Sequence, residues 1–272
     1  MKNCQLNSLI ALAVTLLALI ASAASATPVN NPITLGLVAG WEFEGNANDV
    51  SGNGHHGTVV GATLTTDRFG HPNSAYRFNG ADDRITLAPV FSSQQDPFTF
   101  AAWVRTEQAG GMFLYGEFQS WGATRNFVTA STGPSITLDN YPPLSGAIGF
   151  NLEATNAASA FDNVWIHLAL TVESGIATGY INGEPIGSVP YTESYSGGVP
   201  GIAAIGSRNH NGWYSRGHAG DIDDLYLYDR ALLPTEVQTL YSAVPEPSTA
   251  LLLGMGLAMV AARRWSAPRQ SS

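Results

Sequence analysis

From Thr27 to Pro234 the apolar positions recur in twos rather than at helical spacing, in short runs broken by Gly, Asn, Asp and Pro. In FTFAAWVRT (98–106), Phe98, Phe100, Ala102 and Val104 share one face. In VWIHLALTV (164–172), Val164, Ile166, Leu168, Leu170 and Val172 share one face, and Trp165, His167, Ala169 and Thr171 the other. Comparable runs lie at 37–43, 75–80, 84–89, 126–130, 135–139, 147–154, 177–183, 202–207 and 221–230, and each predicts a strand with a turn nearby. Asn182-Gly183 predicts a two-residue hairpin turn, because both central residues need positive φ. One short helix is expected in LLPTEVQTLY (232–241), where Pro234 precedes Val237, Leu240 and Tyr241 at helical spacing. Gly197-Gly198, Pro142-Pro143 and SRNHNGWYSRGH (207–218) read as loops. Roughly a dozen short strands in one chain predict an all-β fold, with two antiparallel sheets packed as a β-sandwich.

The two ends break this pattern. Lys2, an apolar run from Leu9 to Ile20 and small-residue exits at Ala23 and Ala26 predict a secretory signal peptide over residues 1–26. At the other end Ala250–Ala262 is a second apolar stretch, fenced by Pro245-Glu246-Pro247 and Arg263-Arg264. Thirteen residues make about 20 Å of helix, against a bilayer core of about 30 Å. Length alone therefore leaves a core helix, a short transmembrane anchor and a sorting label open. The arginines would hold one end in the cytoplasm, which favours a membrane segment.

Charge and cysteine content narrow the partners. The chain carries 21 acidic and 12 basic residues, a formal net charge of −9. Glu246 is the one acid in the two terminal stretches, so the middle is more acidic still. Such a surface repels a phosphate backbone, and nucleic acid is excluded as a partner. The one cysteine, Cys4, leaves with the signal peptide, so no disulfide, thiolate metal site or cysteine nucleophile is expected in the mature protein.

Five blocks, in order, resemble a laminin-G-like, concanavalin A-like jelly roll over residues 37–241. They are GWEFEGNANDVSGNGHHGTVVG, RFGHPNSAYRFNGADDRITL, FTFAAWVRT, VWIHLALTVESGIATGYINGEPIG and the closing AIGSRNHNGWYSRGHAGDIDDLYLYDRALLPTEVQTLY. The stretch 244–265, with VPEPS, a short apolar segment and two arginines, resembles the PEP-CTERM sorting signal of Gram-negative exported proteins. That resemblance implies export and transient anchoring in the inner membrane. An exosortase-type protease would then recognise Pro245, Glu246 and Pro247, with Arg263 and Arg264 as the basic stop. The protein would end at the cell surface or outside the cell.

Three kinds of chemistry are candidates in the body. Asn46, Asn48, Asp49, Ser51 and Asn53 crowd one loop, and Asp221, Asp223 and Asp224 lie on the last strand run. Hard oxygen donors suit Ca²⁺. The family resemblance implies that loop and strand lie side by side, with a structural calcium ion held by Asp49, Asn46, Asn53, Asp221 and Asp224. Strand alternation alone sends Asp221 and Asp223 to one face and Asp224 to the other, so sharing one ion requires a bend. Among carboxylate pairs, Glu42-x-Glu44 and Asp221-x-Asp223 have the spacing a glycosidase needs. Neither sits in a Glu-x-Asp-x-x-Glu pattern, and Glu42 and Glu44 read as edge or surface positions. No catalysis is expected; a polysaccharide-degrading hydrolase or lyase on the same fold is the alternative. Loop aromatics suit sugar stacking, and the candidates are Trp121, Tyr141, Tyr191, Tyr195, Trp213 and Tyr214. With Arg208, Asn211 and Arg216 beside Trp213 and Tyr214, residues 208–216 are the expected site for a polysaccharide or surface glycan.

Overall fold

The structure, a computed structural model, describes residues 31–91, 97–107, 112–119, 122–129, 135–139, 148–151, 163–191, 201–210, 213–215 and 217–243. The two expected terminal segments, including Pro245, Glu246, Pro247, Arg263 and Arg264, lie outside the described residues.

Two antiparallel sheets form the sandwich, with strands numbered in chain order. The eight-stranded sheet runs β13 (Glu184–Pro190), β12 (Ile176–Ile181), β11 (Trp165–Glu173), β6 (Phe98–Thr106), β17 (Ala219–Tyr228), β4 (Ala75–Asn79) and β3 (Thr63–Thr65), with β1 (Leu37–Trp41) also on β17. The seven-stranded sheet runs β10 (Ile148–Asn151), β9 (Ser135–Asp139), β8 (Gly122–Thr129), β7 (Met112–Gln119), β14 (Ile202–Ile205), β5 (Arg84–Leu87) and β2 (Thr58–Val60). A third, two-stranded piece, β15 (Arg208–His210) with β16 (Trp213–Ser215), replaces the loop expected there.

The alternation predicted for β6 and β11 is observed. Phe98, Phe100, Ala102 and Val104 join Ile166, Leu168, Leu170 and Val172 in the inter-sheet core. Val164 precedes the strand and is exposed. Trp41 and Phe43 are fully buried in the same core. Tyr191, grouped with the loop aromatics from sequence, is also in the core, edge-on to Phe98. The outer face of the eight-stranded sheet is covered at one end by helix α1 (Pro234–Ser242). Ala101, Ala169, Tyr180, Tyr226 and Tyr228 pack there with Val237 and Leu240. Glu236 fixes the helix start: its carboxylate accepts from the Leu233 N–H at 2.8 Å and from both Arg230 Nη atoms at 2.7 Å. Asn182 and Gly183 form the expected hairpin turn, at φ 49° and 82°.

The last strand changes partner midway. β6 flanks one side of β17; on the other side β4 pairs with Ala219–Ile222 and β1 with Leu225–Tyr228. At this junction β17 bulges between Asp223 and Tyr226, with Asp224 at φ 44°. This bend breaks the alternation expected for Asp221, Asp223 and Asp224, and Asp223 and Asp224 reach the same arginine.

Candidate functional site

The Asn-rich loop is organised by Asp49. Its Oδ1 accepts from the Gly40 and Ser51 N–H groups at 3.0 and 2.9 Å. Its Oδ2 accepts from Ser51 Oγ and the His55 N–H at 2.8 and 3.0 Å. These donors hold its carboxyl below the usual range despite burial. Asn46 accepts from the Asn48 N–H at 2.8 Å, and Asn53 donates to the Val38 carbonyl at 3.0 Å. Asp221 and Asp224 are engaged by arginines (below). Among the described residues, no three His, Cys, Asp or Glu side chains converge as a metal site. Of the residues expected to ligate calcium, Asp49, Asn46, Asp221 and Asp224 point side-chain oxygens at N–H, O–H or guanidinium donors of the protein.

The β17 bulge sits where β1 and β4 meet end to end, and carboxylates collect there. Arg68, only 6% exposed, donates from Nη1 to Asp223 at 3.0 Å and Asp224 at 2.6 Å, and from Nη2 to the Ala243 carbonyl at 3.3 Å. Its guanidinium also lies 4.5 Å from the Trp103 ring centroid, and Trp103 stacks on Tyr241 of α1 at 5.6 Å. Burial pushes the Asp223 and Asp224 carboxyls up, and Arg68 opposes this. Glu42 faces the same junction, accepting weakly from the Asn31 N–H and the Tyr226 hydroxyl at 3.3 and 3.4 Å. Desolvation and the nearby Asp224 charge raise it to about 7. The sequence places Glu42 at an edge or surface; the structure buries it against Asn31 and Tyr226. A carboxyl poised near neutrality beside a second one is a hydrolase-like pairing. Yet Glu42 is 8% exposed and Asp224 3%, so a polysaccharide does not reach them. His167 is likewise enclosed, between Trp103 and Tyr241, and desolvation lowers it to about 3.

The open chemistry lies at the other end of the same outer face. Register aligns Trp165, Arg105, Asp221, Arg77 and Thr63 in one row across β11, β6, β17, β4 and β3. Asp221 is fully buried and fixes the row. It accepts from Arg77 Nε and Nη2 at 2.8 and 3.1 Å, and from Arg105 Nε at 2.6 Å. Arg105 in turn lies 5.2 Å over the Trp165 ring. Arg77 also pairs with Glu107 at 2.9 Å, and both side chains remain exposed, 41% and 43%. Beside them opens a groove of about 570 Å³, lined by Thr63, Arg77, Phe78, Asn79, Asp83, Glu107 and Ala219. Its Asn79–Asp83 wall is rigid: the Asn79 carboxamide accepts from the Ala81 N–H at 2.8 Å, and Asp83 accepts from the Asn79 N–H at 2.9 Å. The sequence missed this site because its members are far apart in the chain and are joined only by strand register.

The site expected from sequence is placed in part. Arg208, Trp213 and Tyr214 fall on the β15–β16 hairpin, with Asn209 opposite Tyr214. The hairpin leads through Gly217 and His218 into Ala219, a wall of the groove. Asn211, Arg216, Trp121, Tyr141 and Tyr195 lie outside the described residues.

A laminin G family model, described as the concanavalin A-like lectin/glucanases superfamily, matches residues 79–238, more than half of the chain. The chain belongs to that superfamily. A second model, the PEP-CTERM protein-sorting motif, matches residues 243–264 and marks this superfamily member for C-terminal sorting by an exosortase-type system. Among the described residues no helix is long and apolar enough to cross a membrane. No curated protein matches the sequence significantly.

Solved structures share the fold at low identity. Domain 4 of AbnA, a GH43 extracellular arabinanase from Geobacillus stearothermophilus, in complex with arabinotriose, is 22% identical with a TM-score of 0.56, covering 76% of this chain and 98% of that one. The binding domain of botulinum neurotoxin serotype D is 14% identical with a TM-score of 0.58, covering 78% of this chain and 52% of that one. The neurotoxin DC binding domain in complex with SialylT is 15% identical with a TM-score of 0.59, covering 77% and 51%. This superfamily member spans about half the length of the neurotoxin domains.

Proposed function

We propose that this is an exported carbohydrate-binding protein, sorted to the cell surface or beyond, that holds a glycan without cleaving it. The observation that carries the reading is the outer-face row. A buried carboxylate clamps two partly exposed arginines beside a polar groove, so hydrogen-bonding groups are fixed before a ligand arrives. Fixed donors and acceptors lose little freedom on binding, the condition under which sugar hydroxyls compete with water. A volume of about 570 Å³ falls within the size of small-ligand clefts, roughly 300–1,000 Å³. Two structural neighbours, solved in complex with arabinotriose and with SialylT, agree with this reading. The sealed state of Glu42 and Asp224 favours binding over hydrolysis.

The test is a glycan array on the full chain, paired with a reducing-sugar assay on the polysaccharides it retains. Specific binding without release of reducing ends is expected. Sustained release of sugar would assign the chain to the enzymes of this fold, and a blank array would remove the carbohydrate reading.

A further inference from the structure

The row predicts what kind of glycan fits, and this inference rests on the carbohydrate-binding reading. We infer that the ligand is a linear, uncharged polysaccharide lying across the strands from Trp165 towards Thr63, and not a chain end held in a pocket. Five strands in register give four inter-strand steps, about 19 Å at roughly 4.8 Å each. Such a strip is longer than one sugar ring. The groove at its Thr63 end is open, so among the described residues nothing there caps a chain end.

Charge sets the class of ligand. Arg105 is matched by Asp221, and Arg77 by Asp221 and Glu107. Asp83 adds one more carboxylate to the groove wall. No arginine in the row is left over to neutralise a uronate or a sulfate. A negatively charged chain would meet Glu107 and Asp83 across the groove and be repelled. Hydroxyl groups can accept from the guanidinium edges and donate to the same carboxylates, so a neutral chain satisfies both. At the far end, the half-buried Trp165 ring, with the Arg105 guanidinium 5.2 Å over it, offers apolar contact to a sugar face, a role that needs no charge.

Isothermal titration of the full chain tests this with arabino-, xylo-, cello- and manno-oligosaccharides of two to six residues, and with oligogalacturonates of the same lengths. In at least one neutral series affinity should rise tenfold or more between two and five residues, with the galacturonates at least tenfold weaker. Trp165→Ala, and separately Thr63→Trp at the exposed edge, should each weaken the five-residue ligand at least fivefold. Thr63 has no role in the core, so that variant keeps the fold if Trp165→Ala does not. Affinity independent of length, a preference for galacturonate, or wild-type binding by Thr63→Trp would overturn the strip while leaving carbohydrate binding intact. Binding of no probe of either charge would instead overturn the carbohydrate reading itself.

Discussion

Glu42 is the residue whose environment departs furthest from what its position in the sequence suggests. Its carboxyl titrates near 7 when folded, against 4.5 when unfolded. The folded state therefore keeps the proton longer. The stability this adds is fully present below pH 4.5 and is lost as pH rises through 7. Glu42→Gln should remove the dependence. The gap in unfolding free energy between variant and wild type should widen by roughly 3 kcal/mol from pH 4.5 to 8, as read from urea melts. His167 acts with the opposite sign. Its lowered value makes stability full above pH 6.5 and lost as pH falls towards 3, so the difference between variants, not the wild-type curve, isolates Glu42. Arg68→Ala should cost about 3–5 kcal/mol in the same melts, because it strands Asp223 and Asp224 in the interior. Asp49→Ala should lower stability by about 2–3 kcal/mol through its lost hydrogen bonds, equally in calcium and in EDTA. A loss seen only in calcium would make Asp49 a calcium ligand. Sequence shows that these acids lie in one loop and one strand. It does not show which donors meet them, because Arg68 is 155 residues from Asp223.

At the scale of elements, legibility followed how local the cause was. The Asn182-Gly183 turn and the Pro234 helix are read directly, because each depends on a few adjacent residues. β7 has continuous apolar residues around Gly116 and no alternation to betray it. β2 and β3 are three residues each, joined across Gly61 at φ 83°, too short for any period. The β17 bulge is invisible to alternation, since one extra residue at Asp224 shifts every later side chain. Gly220 carries the tightest demand on the site. It sits at φ 140°, and a Cβ there would run into the Arg105 carbonyl of the neighbouring strand. Backbone cannot yield as a side chain can. Gly220→Ala should unfold the edge of the row and lower the melting temperature by about 5 °C or more, measured by circular dichroism.

At the scale of the whole molecule, the two ends of the eight-stranded sheet's outer face have different fates. Helix α1 seals one end of the eight-stranded sheet over Trp103 and His167, and the row from Trp165 to Thr63 stays open at the other. The described body ends at Ala243, and the sorting motif spans residues 243–264. The fold class and the C-terminal sorting motif are legible in the order of motifs. The candidate face is not, because it exists only once five distant strands are laid in register. Hydrogen–deuterium exchange of the full chain, with and without a polysaccharide retained on the array, tests the central claim most directly. The account predicts slowed exchange at residues 63–65, 77–79, 105–107, 165–167 and 219–221. Slowed exchange confined to β8, β9 and β10 of the other sheet would contradict it.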